Sequence, residues 1–364
     1  MTGLGVSPYP WYETLRWPAH YLRPSMRRRS EVDPRPIAHR FGTPHPRTIR
    51  LLFVGDLMCM RWDRVPSVHR RLRQLIASAD LVIGNCEAPV ASRDSRPDAS
   101  YRFTFDMAEE YLATFLRRLG VSAGRCVLSV ANNHIGDQGE RGLMDTLERL
   151  SRLGVTPVGN RASGEPTIKV RVGGVNVLLA AWTHWMNREA FGSSAGVWRA
   201  DAIDALRART WRDIKTRLGG DCLIGTPHWD YEFRHFPSER TREVAHRMTG
   251  LGFDLLVGHH PHVCQPIEWL RPGICLYSLG NLNGPTSLLR SWPSKLLGVF
   301  EVQLIADQRR RGGVAGYRLH PFVQQGRSPD VSLVPLDQAP RRLRAKVERR
   351  LRTIYPTPTS LPSS

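Results

Sequence analysis

The chain has 364 residues, 41% hydrophobic and 23% charged, a globular balance that excludes collagen-like, coiled-coil and largely disordered classes. Its 52 Lys and Arg against 33 Asp and Glu leave a net charge of +19, which suits polyanions, phosphorylated substrates or an acidic surface. Arg greatly outnumbers Lys, as GC-rich coding also produces, so charge alone selects no partner.

Residues 1–47 mix Pro, Arg and His with Trp and Tyr and show no clear periodicity, which reads as an irregular leader. The leader has no apolar h-region with a small-residue cleavage site, and no run of about 18 apolar residues occurs anywhere, so no membrane segment and a cytoplasmic location are expected. From Thr48 short apolar runs alternate with amphipathic helical patterns. Strands are expected at 49–54, 81–83 and 127–130, and helices at 65–77, 108–119 and 142–153. Strands 168–172 and 175–181 flank Gly173-Gly174, a two-residue hairpin signature. The βα pattern resumes with a helix at 202–218, a strand at 222–224, a helix at 239–250 and a strand at 255–257. Strands at 274–277, 298–304 and 314–319 close the fold, with Arg309 to Arg311 at a hairpin tip.

These elements describe an α/β sandwich with mixed sheets in a single domain, residues 48–325, followed by a basic tail at 326–364 that carries an Arg-punctuated helix. Six cysteines, Cys59, Cys86, Cys126, Cys222, Cys264 and Cys275, include no Cys-x-x-Cys pair. They read as buried free thiols in a reducing compartment.

Polar, ligand-capable residues recur just past the carboxyl ends of the βα strands. Gly55-Asp56 follows the first, Asn85-Cys86-Glu87 the second and Asn132-Asn133-His134 the third. His228 follows the strand at 222–224, and His259-His260-Pro261-His262 the strand at 255–257. In an open α/β sheet this edge binds ligands. A lone Asp there is usually a helix cap and a lone His a satisfied core group, but coincidence at five loops is hard to attribute to capping. Carboxylates, an amide oxygen and several imidazoles form a mixed O/N set suited to Mn, Fe, Co or Zn. The ligands suffice for two ions, which a carboxylate such as Glu87 can bridge.

Taken together, Gly55-Asp56-Leu57-Met58, Asn85-x-Glu87, Ala131-Asn132-Asn133-His134-x-x-Asp137, His228-Trp229-x-x-Glu232, Gly258-His259-His260-Pro261-His262-Val263 and Tyr277-Ser278-Leu279-Gly280-Asn281 resemble the CapA-type poly-gamma-glutamate biosynthesis family, within the calcineurin-like metallophosphoesterase superfamily. The resemblance implies a metallophosphoesterase-type sandwich and a centre of two divalent ions (Mn, Fe or Zn). It implies Asp56, Glu87, Asn133, His228, His260 and His262 as ligands, and His134 as the catalytic histidine. Asp137 either holds the tautomer of His134 or caps the next helix. Asn132, Thr183, Asn187, Trp229, Glu232 and His259 are expected around the substrate, with Glu232 either orienting His228 or facing solvent.

Two departures stand out. Met58 occupies the position of an imidazole in the wider superfamily, and Asp230 replaces a glycine after His228-Trp229. The expected function is a metal-dependent hydrolase or transferase acting on an anionic polymer or a small anionic or glutamyl-type substrate. A degenerate scaffold that binds an anionic polymer is the alternative. A nuclease ranks third, since no nucleic-acid module is present. The Gly-rich stretches lack the Walker lysine, and no strand-to-helix Gly-x-Ser-x-Gly elbow occurs.

Overall fold

The apolar run near residue 50 forms a strand, Thr48–Leu57, buried over nearly its whole length, and the first sheet grows outward from it. The computed structural model describes residues 8–24, 31–59, 64–91, 104–188, 196–206, 208–284, 292–327 and 330–356. On one side of this strand lie its parallel partners Leu81–Cys86, Cys126–Ser129 and Val155–Val158. On the other lie Leu296–Ile305, Val314–Arg327 and Asp330–Pro335, each antiparallel to the one before it. The parallel half is covered by helices, which is why its strands read as unbroken apolar runs. Arg309, Arg310 and Arg311 sit in the turn between two antiparallel strands, as expected.

The second sheet has six strands in the order Ile267–Trp269, Ile274–Leu276, Leu255–Val257, Cys222–His228, Val175–Thr183 and Thr167–Val172. The last two are the expected hairpin. Gly173 and Gly174 both have positive φ, 53° and 89°, the conformation a tight two-residue turn demands. Inward residues of both sheets, among them Leu51, Phe53, Val177 and Leu179, share one core. A smaller core of Trp182, Trp211, Met248 and Phe253 lies on the other face of the second sheet, against helices Ala208–Arg217 and Glu239–Gly250. The α/β sandwich with mixed sheets is therefore the observed architecture.

Local differences have identifiable causes. The helix expected at 65–77 begins at Arg70, because Ser67 and Val68 pair instead with Ser332 and Leu333. The helix expected at 202–218 is two helices, Ala200–Asp204 and Ala208–Arg217. The leader holds a helix, Trp11–Leu22, and a short strand, Ala38–Arg40, paired with Val314–Arg327. At the other end, Arg341–Ile354 packs Val347, Leu351 and Ile354 into the core. Among the described residues no helix is long and apolar enough to cross a membrane, and all six cysteines are free.

Candidate metal centre

Glycine allows the two sheets to bring their strand ends together. A Cβ on Gly55 would lie 2.0 Å from the carbonyl oxygen of Gly280, and one on Gly258 equally close to that of Tyr277, so only a bare backbone fits. The loop after Gly258 then turns sharply: His260 and His262 adopt φ of 97° and 57°. Non-glycine residues held in this region mark sites where the surrounding structure imposes geometry for a purpose.

Asp56 ends the central strand of the first sheet, fully buried. Its carboxylate accepts from Asn85 Nδ2 at 2.9 Å and from the backbone N–H of His260 at 3.2 Å. His259 Nδ1 lies 3.0 Å from Oδ1 and His262 Nδ1 3.4 Å from Oδ2. Burial pushes the carboxyl up, but the bonds to His259 and His262 outweigh it and hold the group well below the usual carboxylate range.

Glu87, one residue past Leu81–Cys86, is the reverse case. It is fully buried and neither of its oxygens has a hydrogen-bond partner. Burial, and then the charge of Asp56, push its carboxyl well above the ordinary range. A buried carboxylate without partners is costly. Its nearest neighbours are imidazoles, with His228 Nε2 at 3.5 Å and His262 Nε2 at 3.7 Å from Oε1. Glu87 belongs to two groups able to hold a metal ion, one with His228 and His260 and one with Asp56 and His262. A divalent cation would give these orphaned oxygens a partner, so the residues fit the implied ions.

The remaining ligand candidates converge here too. His228, at the end of its strand, lies 2.9 Å from Asn133 Oδ1 through Nε2. Burial, then the neighbouring His260, hold the His228 imidazole well below its ordinary pKa. His260 is lowered by burial and by His262. Both are thus neutral, the form that ligates metal. Burial lowers His262 as well, but Glu87 and Asp56 prevail and raise it to about 10.

His134 stands at the rim, its Nδ1 2.7 Å from Asp137 Oδ2 and its ring stacked on Phe105 with centroids 3.8 Å apart. Of the two roles open to Asp137, contact with His134 is the observed one. The helix Gly139–Arg152 has Gln138 at its N-cap, without a side-chain cap. Asn187 Nδ2 lies 3.3 Å from His134 Nδ1, and Asn187 Oδ1 accepts from Asn133.

Other residues expected around the substrate have different surroundings. Asn132 is buried and donates to Asn85 Oδ1 and the Cys86 carbonyl, which ties two strand ends together. Trp229 is fully buried in the smaller core and donates to the Tyr277 carbonyl, so it packs the interior. His259 is held by Asp56. The Thr183 hydroxyl closes a turn onto Trp185. Glu232 neither orients His228 nor simply faces solvent: its oxygens accept from the Tyr9 hydroxyl and Trp17 Nε1. Met58 is buried, bonded through its backbone to Asn283.

Sequence reasoning gave no role to Asn85, Asn281 or Tyr9. Asn85 and Asn281 sit inside the quoted motifs, where they hold Asp56 and His262. A cavity of about 290 Å³ is lined by Thr183, Trp185 and Tyr231 and by charged residues of both signs, Arg199, Arg240, Asp201 and Asp230.

Comparison with known proteins follows the same residues. The chain is 28% identical over 242 residues to the PGA biosynthesis protein CapA of Bacillus subtilis, covering 63% of this chain and 61% of that protein. It is 27% identical over 260 residues to the capsule biosynthesis protein CapA of Bacillus anthracis, covering 68% and 61%. The chain thus spans about three-fifths of the length of these relatives. Solved structures similar to it include a phosphatase of Mycoplasma pneumoniae, with TM-score 0.45, 12% identity and coverage of 76% of this chain and 94% of that one. The sulfate thiohydrolase SoxB of Thermus thermophilus gives 0.43, 10%, 85% and 61%. The model of the bacterial capsule synthesis protein family PGA_cap matches residues 50–284, the stretch that carries every ligand candidate named above, and the chain belongs to that family.

Proposed function

We propose that this chain is a metal-dependent hydrolase or transferase of capsule or poly-gamma-glutamate biosynthesis, acting on an anionic or glutamyl-type substrate. Asp56, Glu87 and His262 would hold one divalent ion and Glu87, Asn133, His228 and His260 a second. The observation that carries this reading is Glu87, buried with both oxygens unpartnered between the two ligand groups. When bound, two such ions supply Lewis-acid stabilisation of developing negative charge and activate a water.

The chain's own residues supply the rest. The Nδ1–H of His134 donates to Asp137, which leaves Nε2 to hand a proton to a leaving group, and the Asp137 carboxylate stabilises the imidazolium before transfer. Phe105 keeps the ring from rotating, and the Phe105 N–H, donated to Asp137 Oδ2 at 2.7 Å, fixes the carboxylate. The net charge of +19 favours an anionic substrate. Six free thiols fit a reducing compartment, which supports a cytoplasmic location.

Elemental analysis of the full chain after exposure to Mn, Fe and Zn tests the reading. Two ions per chain are expected. A folded protein, intact by circular dichroism, that retains none overturns it. Turnover in screens of phosphoesters and gamma-glutamyl amides, lost in His134→Ala with metal retained, separates an enzyme from a polymer-binding scaffold.

A further inference from the structure

We infer that Tyr9 is a positioning residue of the metal centre: its hydroxyl fixes the ring of His260 so that Nδ1 is the nitrogen offered to the ion. The inference rests on the metal-centre reading above and adds to it a segment that lies outside the family-matched residues 50–284.

The geometry is a chain of hydrogen bonds. Tyr9 Oη donates to Glu232 Oε1 at 2.8 Å and lies 2.7 Å from His260 Nε2. A phenol carries one hydrogen, and with that hydrogen on Glu232 its oxygen can only accept from His260. Nε2 therefore bears the proton, and the lone pair of the neutral ring falls on Nδ1. His260 Nδ1 is buried and has no hydrogen-bond partner, and the ring lies 4.6 Å from that of His228, centroid to centroid. His260 belongs to a group with Glu87 and His228 that could hold a metal ion, and this tautomer leaves Nδ1 as the nitrogen with a lone pair to offer there.

The support is built from several contacts. Trp17 Nε1 donates to Glu232 Oε2 at 2.6 Å, so the carboxylate that orients Tyr9 is held at both oxygens. Glu13, on the same helix, pairs with Arg234. Trp17 and Tyr21 stack on one another and pack edge-on against Phe233. The Tyr9 ring meets Trp185 at 90° with centroids 5.2 Å apart. Metal-ligating histidines almost always hand their second ring N–H to an outer partner, and losing that partner typically weakens the metal about 10–100-fold. In this chain a phenol backed by a carboxylate is that partner, delivered by the segment just before the helix Trp11–Leu22.

The test uses the full-length protein, Tyr9→Phe, and Leu15→Ala as a control, Leu15 being 72% exposed on the helix Trp11–Leu22. Zn²⁺ is titrated against a chromophoric chelator, and nitrogen NMR of histidine-labelled, metal-free protein reads the His260 tautomer. The wild type should show the Nε2–H tautomer and bind two ions. Tyr9→Phe should weaken one ion about 10–100-fold, leave the other unchanged and shift the tautomer population, while Leu15→Ala matches wild type. If Tyr9→Phe fails to fold, Trp17→Phe, which removes only the N–H on Glu232, should weaken the same ion to a smaller degree. An Nδ1–H tautomer in a wild type that binds two ions, or unchanged affinity at both ions in Tyr9→Phe and Trp17→Phe, overturns the role of Tyr9 alone. A wild type that binds no ion overturns the metal-centre reading and the role of Tyr9 with it.

Discussion

Asp137 Oδ2 lies 2.7 Å from His134 Nδ1, three residues back along the chain, and the carboxylate is also fixed by the backbone of Phe105. The pair is buried, with side chains 9% and 1% exposed, so the interaction is not diluted by solvent. Replacing Asp137 by Asn keeps the size but removes the charge that stabilises a protonated His134. Turnover should fall about 10²–10⁴-fold in His134→Ala and by a smaller factor in Asp137→Asn. Metal content by elemental analysis should stay at the wild-type level in both. Loss of metal in step with activity would make His134 a ligand instead.

Glu87 gives a prediction in which stability and function move in opposite directions. In metal-free protein its carboxyl is buried, unpartnered and next to Asp56. Glu87→Gln removes a group whose ionised form the interior disfavours, so the metal-free variant should melt at the same temperature as wild type or higher. The same change removes the one ligand common to both ion groups, and bound metal should fall below that of Asp56→Asn. Calorimetry of chelator-treated protein with parallel metal analysis checks both signs. A metal-free Glu87→Gln that melts well below wild type would mean that the carboxylate is satisfied by the protein itself.

Most of this candidate centre was legible in the sequence because its residues lie at the ends of strands, or within five residues past them, and those strands announce themselves as apolar runs. The five loops needed only the rule that strand ends share an edge, whereas the choice of Asp56, Glu87, Asn133, His228, His260 and His262 within them came from the resemblance to the CapA-type family. What was hidden depends on partners far away in the chain. Tyr9 and Trp17 reach Glu232 across more than two hundred residues, and the helix that carries Trp17 lacks a clean amphipathic stripe, with Trp11 and Leu15 exposed. Ser67 and Val68 continue a helical pattern, yet become a strand because Ser332 and Leu333 offer them an edge. Trp229 sits in a motif beside a ligand, but the strand's alternation turns its ring into the core.

Gly258 should tolerate no side chain. A Cβ there would lie 2.0 Å from the Tyr277 carbonyl oxygen and 2.3 Å from Trp229 Nε1, and neither backbone nor buried indole can retreat. Gly258→Ala should cost about 3 kcal/mol by urea denaturation and reduce bound metal, because the displaced loop carries His260 and His262. Wild-type stability and metal content in this variant would refute the close packing of the two strand ends.

Acid stability should depend on Glu301, which lies in the first sheet away from the metal centre. Its carboxylate accepts from His320 at 2.9 Å and from two nitrogens of Arg50 at 3.1 Å. The His320 bond first, against burial, and then Arg50 lower its pKa to about 2 from an ordinary 4.5. The folded-state value is depressed, so the stabilisation is complete above about 4.5 and is lost as pH falls towards about 2. Glu301→Gln should be less stable than wild type by about 1–2 kcal/mol at neutral pH, and the gap should close as the acid limb is descended. A gap that stays constant from pH 7 to about 2 would show that the difference comes from packing.

The net charge of +19 is the property most open to a trivial origin in Arg-rich coding, and salt separates the two possibilities. A polymer that neutralises several basic residues releases counterions, so its affinity falls steeply with salt, whereas a small ligand held mainly at the metal centre depends on salt weakly. Fluorescent poly-gamma-glutamate and single-stranded DNA, titrated at about 50 and 200 mM salt, should both bind through the basic surface at the lower concentration, because the Debye length shortens across that range. At the higher concentration poly-gamma-glutamate should keep a component that DNA lacks, since a substrate that also contacts ions of the proposed buried centre is screened less than one held by exposed charges. Chelation should abolish that component and leave the salt-sensitive one intact. Equal affinity for the two polymers, unchanged by chelation, would assign the charge to composition and the centre to a small substrate.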